Sequence, residues 1–411
     1  MWFYVRCIVV PQQVVEGAQL GRPRGNLSDL YPRWLGAREL LLHRRNPYSQ
    51  EITREIQRGY YGRELDPSRP GDPTDQQGFA YPVYVVFLLA PTIWMDFSSV
   101  QTWYIWLSIA CTALGVLVWK RTLGVPLHSV QSLAVVALML GSYSFIEGFS
   151  LQQPLLVVAL ILASSFLARV RGWYILSGVL LAIATIKPQI AMLPVILMMF
   201  WVVASWRDRQ RWLWAFAATM LVFFAASELL LPCWLFQFLQ AVRAYNSYLG
   251  GTTFLDWLVG ERLASIARAG IILVVVWLFW NNRNAAADSI TGRRMLSLSL
   301  VAGVCIAPNL ATYNQVLLLP ALLLLWDQWQ VLGRSGIVGR SLRPILLLLL
   351  SWQWVACGIL IVARVVFRAE HFVARAWQLP LDATLSLPAV MLLLLLFWPT
   401  ARISEETFTS A

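Results

Sequence analysis

Trp173 to Ser205 run WYILSGVLLAIATIKPQIAMLPVILMMFWVVAS, a stretch in which Lys187 is the one charged side chain. A helix crosses the ~30 Å hydrocarbon layer with about 20 predominantly apolar residues. This stretch holds two blocks near that length, 173–187 and 188–205, meeting at Lys187-Pro188. Proline lacks an N–H and crowds the preceding turn, so the helix breaks there. Similar blocks lie at 82–97, 99–119, 129–146, 151–169, 212–230, 263–280, 295–311, 314–329, 344–363 and 383–399. Over all 411 residues, 58% are hydrophobic and 13% charged, against about 45–50% and about 25% in a soluble domain. That excess excludes disordered, disulfide-scaffold, fibrous and ordinary cytosolic classes. The expected fold is an all-α polytopic membrane protein with about 11–13 transmembrane helices.

The net charge of +11 does not point to nucleic acid, because the basic residues fall in short clusters between apolar spans, as in cytoplasmic loops. From Lys120-Arg121 onward, through Arg169/Arg171, Arg207/Arg209/Arg211, Arg283/Arg293/Arg294 and Arg334/Arg340/Arg343 to Arg402, two blocks separate consecutive clusters. One orientation puts them all inside and places 147–153, 186–190, 231–262, 306–314 and 364–382 outside. The polar 17–79 loop joins that face if 82–97, which holds Pro82 and Pro91, is a partial helix. One membrane domain over 1–411 is expected, in which 1–16 is the end of a truncated first span, 17–79 an external loop with amphipathic helices at Tyr31–His43 and Glu51–Tyr61, 80–399 the bundle and 400–411 a cytoplasmic tail. The scattered cysteines, with no C-x-x-C pair, fit buried small hydrophobes.

Several residues carry candidate chemistry. Asp29 precedes the helix opened by Pro32. It is either a capping or turn residue ahead of that helix or a carboxylate at the membrane surface, placed as general base toward a hydroxyl. Lys187 interrupts an apolar run, where a cation costs roughly 2.5–3.5 kcal/mol on insertion scales; it either snorkels to the headgroups or neutralises a phosphate, with Gln189 beside it. Tyr48 and Tyr81 are placed to stack on a sugar ring. Glu147, Gln152 and Gln153, and the break Pro308-Asn309-Leu310-Ala311-Thr312-Tyr313-Asn314-Gln315, lie on the same face as sugar-binding candidates or plain loops. Arg364, Arg368, His371 and Arg375 form the one basic cluster outside, fitting an anionic substrate or misplaced final spans. No P-loop, dinucleotide fingerprint, H-E-x-x-H or nucleophile-elbow motif occurs, and His43, His128 and His371 are far apart; no metal or cofactor is expected.

Asp29-Leu30-Tyr31, Asn46-Pro47-Tyr48 and Tyr81-Pro82 together resemble the first loop of the membrane glycosyltransferases of family 87, in the C superfamily. Ile183 to Gln189 is similar to that family's Lys-Pro-Gln segment, and Pro308 to Asn314 to its later Pro…Tyr-Asp break, with Asn314 in place of the acid. The resemblance implies a polyprenyl-phosphate sugar donor, a lipid or cell-envelope glycan acceptor, transfer with inversion on the external face of the plasma membrane, and mannose as the commonest sugar. It implies Asp29 as the catalytic carboxylate. Lys187, Arg364, Arg368 and His371 are then expected at the donor phosphate, and Tyr48, Tyr81, Gln153, Gln189, Asn309, Tyr313 and Asn314 at the substrates. The residues alone also allow a lipid-linked-sugar flippase or a non-catalytic envelope-assembly subunit.

Overall fold

The computed structural model describes residues 1–19, 28–66, 68–69, 71–126, 130–249, 253–307, 311–333 and 336–398. Asn309 and the expected tail 400–411 lie outside them. Among the described residues every regular element is a helix, so the all-α membrane fold holds. Five helices are long and apolar enough to cross a membrane: Phe97–Leu123, Trp206–Leu230, Glu261–Asn281, Ile337–Val365 and Glu370–Leu396. Val130–Leu140 and Tyr143–Ser150 form a sixth candidate bent by 54°. Leu155–Val170, Tyr174–Ala184 and Pro188–Ala204 are apolar but shorter. Several of the apolar blocks break at proline or polar residues, so the chain crosses in shorter pieces beside these long helices.

Local chemistry sets these boundaries. The Asp96 carboxylate accepts from the Ser99 backbone N–H at 2.9 Å and opens Phe97–Leu123. That helix closes on Gly124 at φ 66° with Lys120 and Arg121 in its last turn, where a left-handed glycine and cations suit exposed carbonyls and the negative dipole end. Residues 85–92 form only the five-residue helix Val85–Leu89 and the 3-10 turn Ala90–Thr92, a partial helix between Pro82 and Pro91. Helices stand at both expected places, Leu30–His43 and Gln50–Tyr61, of which the second is amphipathic and the first is buried on most of its faces. In the second, Ile52 and Ile56 are fully buried, while Ser49 caps its start.

The Ile290–Ile306 helix runs through the centre of the bundle. Every residue from Met295 to Cys305 is buried, the signature of a helix enclosed on all sides. It packs against Pro188–Ala204, Glu261–Asn281 and Leu387–Leu396. Arg294 donates to the Leu395 and Leu396 carbonyls at 2.8 and 3.0 Å, satisfying the last turn of Leu387–Leu396. Tyr174–Ala184 meets Trp206–Leu230 so closely that a Cβ on Gly178 would collide with the Trp212 carbonyl; small residues permit such contacts between apolar helices.

Chain direction divides the bundle into two ends. The basic clusters gather at one: Arg169 and Arg209 flank the Trp201 ring at 4.9 and 4.4 Å, Arg209 lies beside the Arg283 carbonyl, and Arg293 packs at Gly124. The starts of Phe97–Leu123, Leu155–Val170 and Pro188–Ala204, and the ends of Tyr174–Ala184, Trp206–Leu230 and Ile290–Ile306, form the other. The 28–84 loop covers that second end, pinned where the Tyr84 hydroxyl donates to the Thr185 carbonyl at 2.9 Å and its ring stacks on Phe223.

Candidate active site

A cavity of about 270 Å³ opens where the loop meets the broken helix. Its polar end is built from three segments: Arg33 on the first loop helix, Lys187 to Gln189 at the break, and Tyr313 and Asn314 on the 3-10 turn Thr312–Leu318. Its apolar wall is the Trp234–Leu249 helix, through Phe238, Leu239 and Val242.

Lys187 is 2% exposed. Its Nζ donates to Asn314 Oδ1 at 3.3 Å and lies 4.7 Å from the centre of the Tyr313 ring. The Pro188–Ala204 helix begins at the same spot, so its positive dipole end reinforces the cation. Arg33 stands opposite, with its guanidinium 4.6 Å from the Tyr81 ring and donating to the Asp29 carbonyl. Among the described residues neither cation forms an ion pair with a carboxylate. Two cations lining a cavity, in ion-pair contact with no carboxylate and acted on at longer range by Asp29, give this end a positive potential.

Asp29 holds the N-cap position of Leu30–His43, yet its side chain makes no cap bond. Its carboxylate instead accepts from Gln153 Nε2. The capping alternative therefore does not describe this residue. Asp29 is half-buried, and burial raises its carboxyl above the usual carboxylate range, while Arg33, Lys187 and the Gln153 bond pull it back. A carboxyl raised by burial and opposed by neighbouring cations has the basicity that general-base work needs.

The Asp29 clamp is itself braced. Gln153 is fully buried and follows Gln152, whose backbone is left-handed at φ 53°. Gln152 Oε1 accepts from Ser28 Oγ, and its Nε2 donates to the Gln101 carbonyl at 3.0 Å. Thr312 Oγ1 donates to Glu147, and Ser144 Oγ donates to Gln315 Oε1 at 3.1 Å. The 143–153 stretch thereby holds Asp29 through Gln152 and Gln153 and the turn bearing Tyr313 and Asn314 through Ser144 and Glu147.

The structure brings Asp29, Tyr81, Gln153, Lys187, Gln189, Tyr313 and Asn314 to this end of the bundle. Tyr48 stands behind the cavity, donating to the Tyr81 carbonyl at 2.6 Å. Arg364, Arg368 and His371 are elsewhere, at the end of the Gly336–Val365 helix and the start of Glu370–Ala376. Arg368 and His371 are exposed, and none of the three lines the cavity. Their segment turns outward against the Tyr4–Val9 helix instead. Arg33 and the wall helix Trp234–Leu249 were missed by sequence reasoning. Arg33 carries one signal, its position four residues after Asp29, which places both on one helix face. Among the described residues no three His, Cys, Asp or Glu side chains gather as metal ligands.

A family model, Glycosyltransferase family 87, matches residues 79–308, more than half of the chain. The chain belongs to glycosyltransferase family 87. It is thus a multi-pass membrane glycosyltransferase that takes a sugar donor and an acceptor. The matched family 87 stretch contains Tyr81, Gln153, the Lys187 break and the wall helix; Asp29, Arg33, Tyr313 and Asn314 lie outside it. No curated protein and no solved structure matches the chain.

Proposed function

We propose that this chain moves a hexose or pentose, mannose foremost, from a polyprenyl-phosphate donor to a lipid or cell-envelope glycan acceptor, with inversion. The observation that carries the reading is a cavity lined by Lys187 and Arg33, both of which interact electrostatically with the nearby Asp29 carboxylate. The donor phosphate sits between Lys187 and Arg33, and its isoprenoid chain lies along Phe238, Leu239 and Val242. Asp29 takes the proton from the acceptor hydroxyl as that oxygen bonds to C1 of the sugar. The C1–O bond to phosphate breaks on the opposite face, and polyprenyl phosphate leaves with its charge stabilised by the two cations. Gln189, Tyr81, Tyr313 and Asn314 border the sugar. The basic clusters occupy the end opposite the cavity, which under the positive-inside rule supports an external active site in the plasma membrane.

The test is transfer by purified protein in lipid vesicles, supplied with labelled polyprenyl-phosphate mannose and native membrane lipids. Asp29→Asn is expected to abolish transfer while donor binding persists. Near-normal transfer in that variant overturns the assignment of the base. Label that crosses the vesicle unaltered, with no product from any polyprenyl-phosphate sugar, replaces the transferase with a flippase.

A further inference from the structure

A second cavity, about 420 Å³, lies on the far side of the Gly78–Ala80 segment. The Gln50–Tyr61 helix supplies Gln50, Thr53 and Gln57 to it, the loop supplies Gln76, and the wall helix supplies Tyr248. The two cavities share Gly78 and Ala80 in their linings. A Cβ at Gly78 would meet only Thr53 Oγ1 and Tyr248 Oη, each at 3.8 Å. The absent side chain therefore leaves open space between them.

The chemistry of the two linings differs. The first cavity has two cations; the second has no carboxylate, and its one charge, Arg54, is exposed and faces Glu64 at 4.0 Å. An anion finds its cation already matched there, and a cationic ligand finds no partner. An alkyl chain would lie against Leu65, Ala241 and Ala244 but strip water from the amides and hydroxyls of Gln50, Thr53, Gln76 and Tyr248 without replacing it. What remains on offer is a set of groups that donate and accept together, beside aromatic faces. Gln57 is occupied as a strut, donating to the Gln76 carbonyl and Oε1 at 3.1 and 2.9 Å and accepting from the Leu65 N–H at 3.1 Å. Gln50 retains both donor and acceptor capacity toward a ligand, while Thr53, which donates to the Ser49 carbonyl at 3.1 Å, retains acceptor capacity and Tyr248, hydrogen-bonded to the Gly78 backbone, its hydroxyl proton. Hydroxyl-rich, uncharged rings satisfy such a lining, because each hydroxyl both gives and takes a hydrogen bond and their C–H faces lie against aromatic rings. The Gly78–Ala80 segment that the two cavities share is continuous with Tyr81, whose ring Arg33 covers at 4.6 Å while donating to the Asp29 carbonyl.

We propose that the second cavity binds the neutral saccharide portion of the acceptor, contacted by Gln50, Thr53 and Tyr248. Its role as acceptor site rests on the transferase reading above; its preference for a neutral saccharide rests on the lining alone.

Two measurements test it. In the first, full-length protein in nanodiscs is mixed with mannobiose, galactobiose and arabinobiose, and with inositol phosphate as the anionic rival, and binding is followed by saturation-transfer NMR. At least one neutral disaccharide is expected to bind, and Thr53→Leu or Gln50→Ala to weaken it about tenfold, with affinity for polyprenyl phosphate unchanged. Gln50 is exposed, so its replacement tests the site without threatening the fold. Binding of inositol phosphate alone, of no disaccharide, or of disaccharides unaffected by both substitutions overturns the proposal. In the second, transfer is measured against the concentration of native lipid acceptor, and the same variants are expected to raise the half-saturating concentration about tenfold with little change in kcat. A lowered kcat at unchanged half-saturation counts against the site. If the wild type transfers nothing while disaccharide binding behaves as expected, the transferase reading fails and the saccharide cavity stands.

Discussion

Arginines of the 28–84 loop differ in how their charge is met. Arg45 meets Glu39 and Glu51 at 2.7 and 2.9 Å and also pairs with Glu55; Arg58 pairs with Glu64, and Arg63 with Asp72. These pairs hold the two loop helices and their connection together in partly solvated surroundings, where each ion pair is worth little. Arg33, in the same loop, has no carboxylate partner among the described residues, and neither has Lys187 across the cavity. The loop contains ample acid, so the contrast is one of placement. Arg45, Arg58 and Arg63 are matched where they shape the loop, whereas Arg33 and Lys187, lining the cavity, make no ion pair among the described residues and are acted on only at longer range by Asp29.

Breaking the unpaired set has the largest expected effect. Lys187→Met removes the buried cation and is expected to lower transfer about 10²–10³-fold, the scale of losing a preorganised charge-stabilising donor. Steady-state transfer with saturating donor checks it. Arg33→Gln keeps a donor but no charge, and a loss of about tenfold in donor affinity is expected, consistent with charge-assisted hydrogen bonds being roughly twice as strong as neutral ones. Equilibrium binding of polyprenyl phosphate measures it. Gln153→Ala leaves both cations and deletes the donor to Asp29. That donor favours the ionised carboxylate, so its loss raises the Asp29 pKa further. The base must be ionised, and the acid limb of the transfer rate is expected to move to higher pH. A profile lowered uniformly without that shift assigns Gln153 a purely structural role.

The smallest effect belongs to the matched set. Arg63→Ala is expected to leave transfer within about twofold of wild type, as for a surface ion pair. Its consequence is local. The Arg63 hydrogen bond holds the Asp72 carboxyl down at about 2, from an ordinary 3.8. A depressed folded pKa contributes stability above the unfolded value, and that contribution is lost as pH falls from about 4 toward about 2. Limited proteolysis between residues 62 and 72 is expected to accelerate across that window in wild type. In Arg63→Ala the loop should be protease-sensitive at neutral pH already.

How legible this was in the sequence depends on the range of the interaction. Apolar blocks and proline breaks are local, and they announced the helical membrane fold, the partial helix near Pro82 and the interruption at Lys187. The loop helices were legible from Pro32 and from the four-residue spacing of Ile52 and Ile56. The unpaired state of Lys187 was not, since it depends on Asn314, 127 positions away. Asp29 resembled a cap until Gln153, 124 positions away, was seen to hold its carboxylate. Arg33 looked like every other loop arginine. Arg364, Arg368 and His371 share the cavity's end of the bundle, which charge patterning conveys, but it says nothing of which way a segment turns once it leaves a helix. The wall helix Trp234–Leu249 read as a connection between spans, because a helix with one face to a cavity and the other exposed has no uniform hydropathy.

The left-handed backbone at Gln152 has a consequence for how this protein can be improved. A non-glycine residue in that conformation costs of order 1–3 kcal/mol, and this one is kept there by Ser28 and Gln101. Glycine would relieve the bend but sever both anchors, and the next residue in line is Gln153. Selection for heat resistance alone would press on position 152 and, in doing so, loosen the aim of the carboxylate it precedes. Robustness and turnover meet at a single peptide unit, and neither can be tuned there without the other being felt.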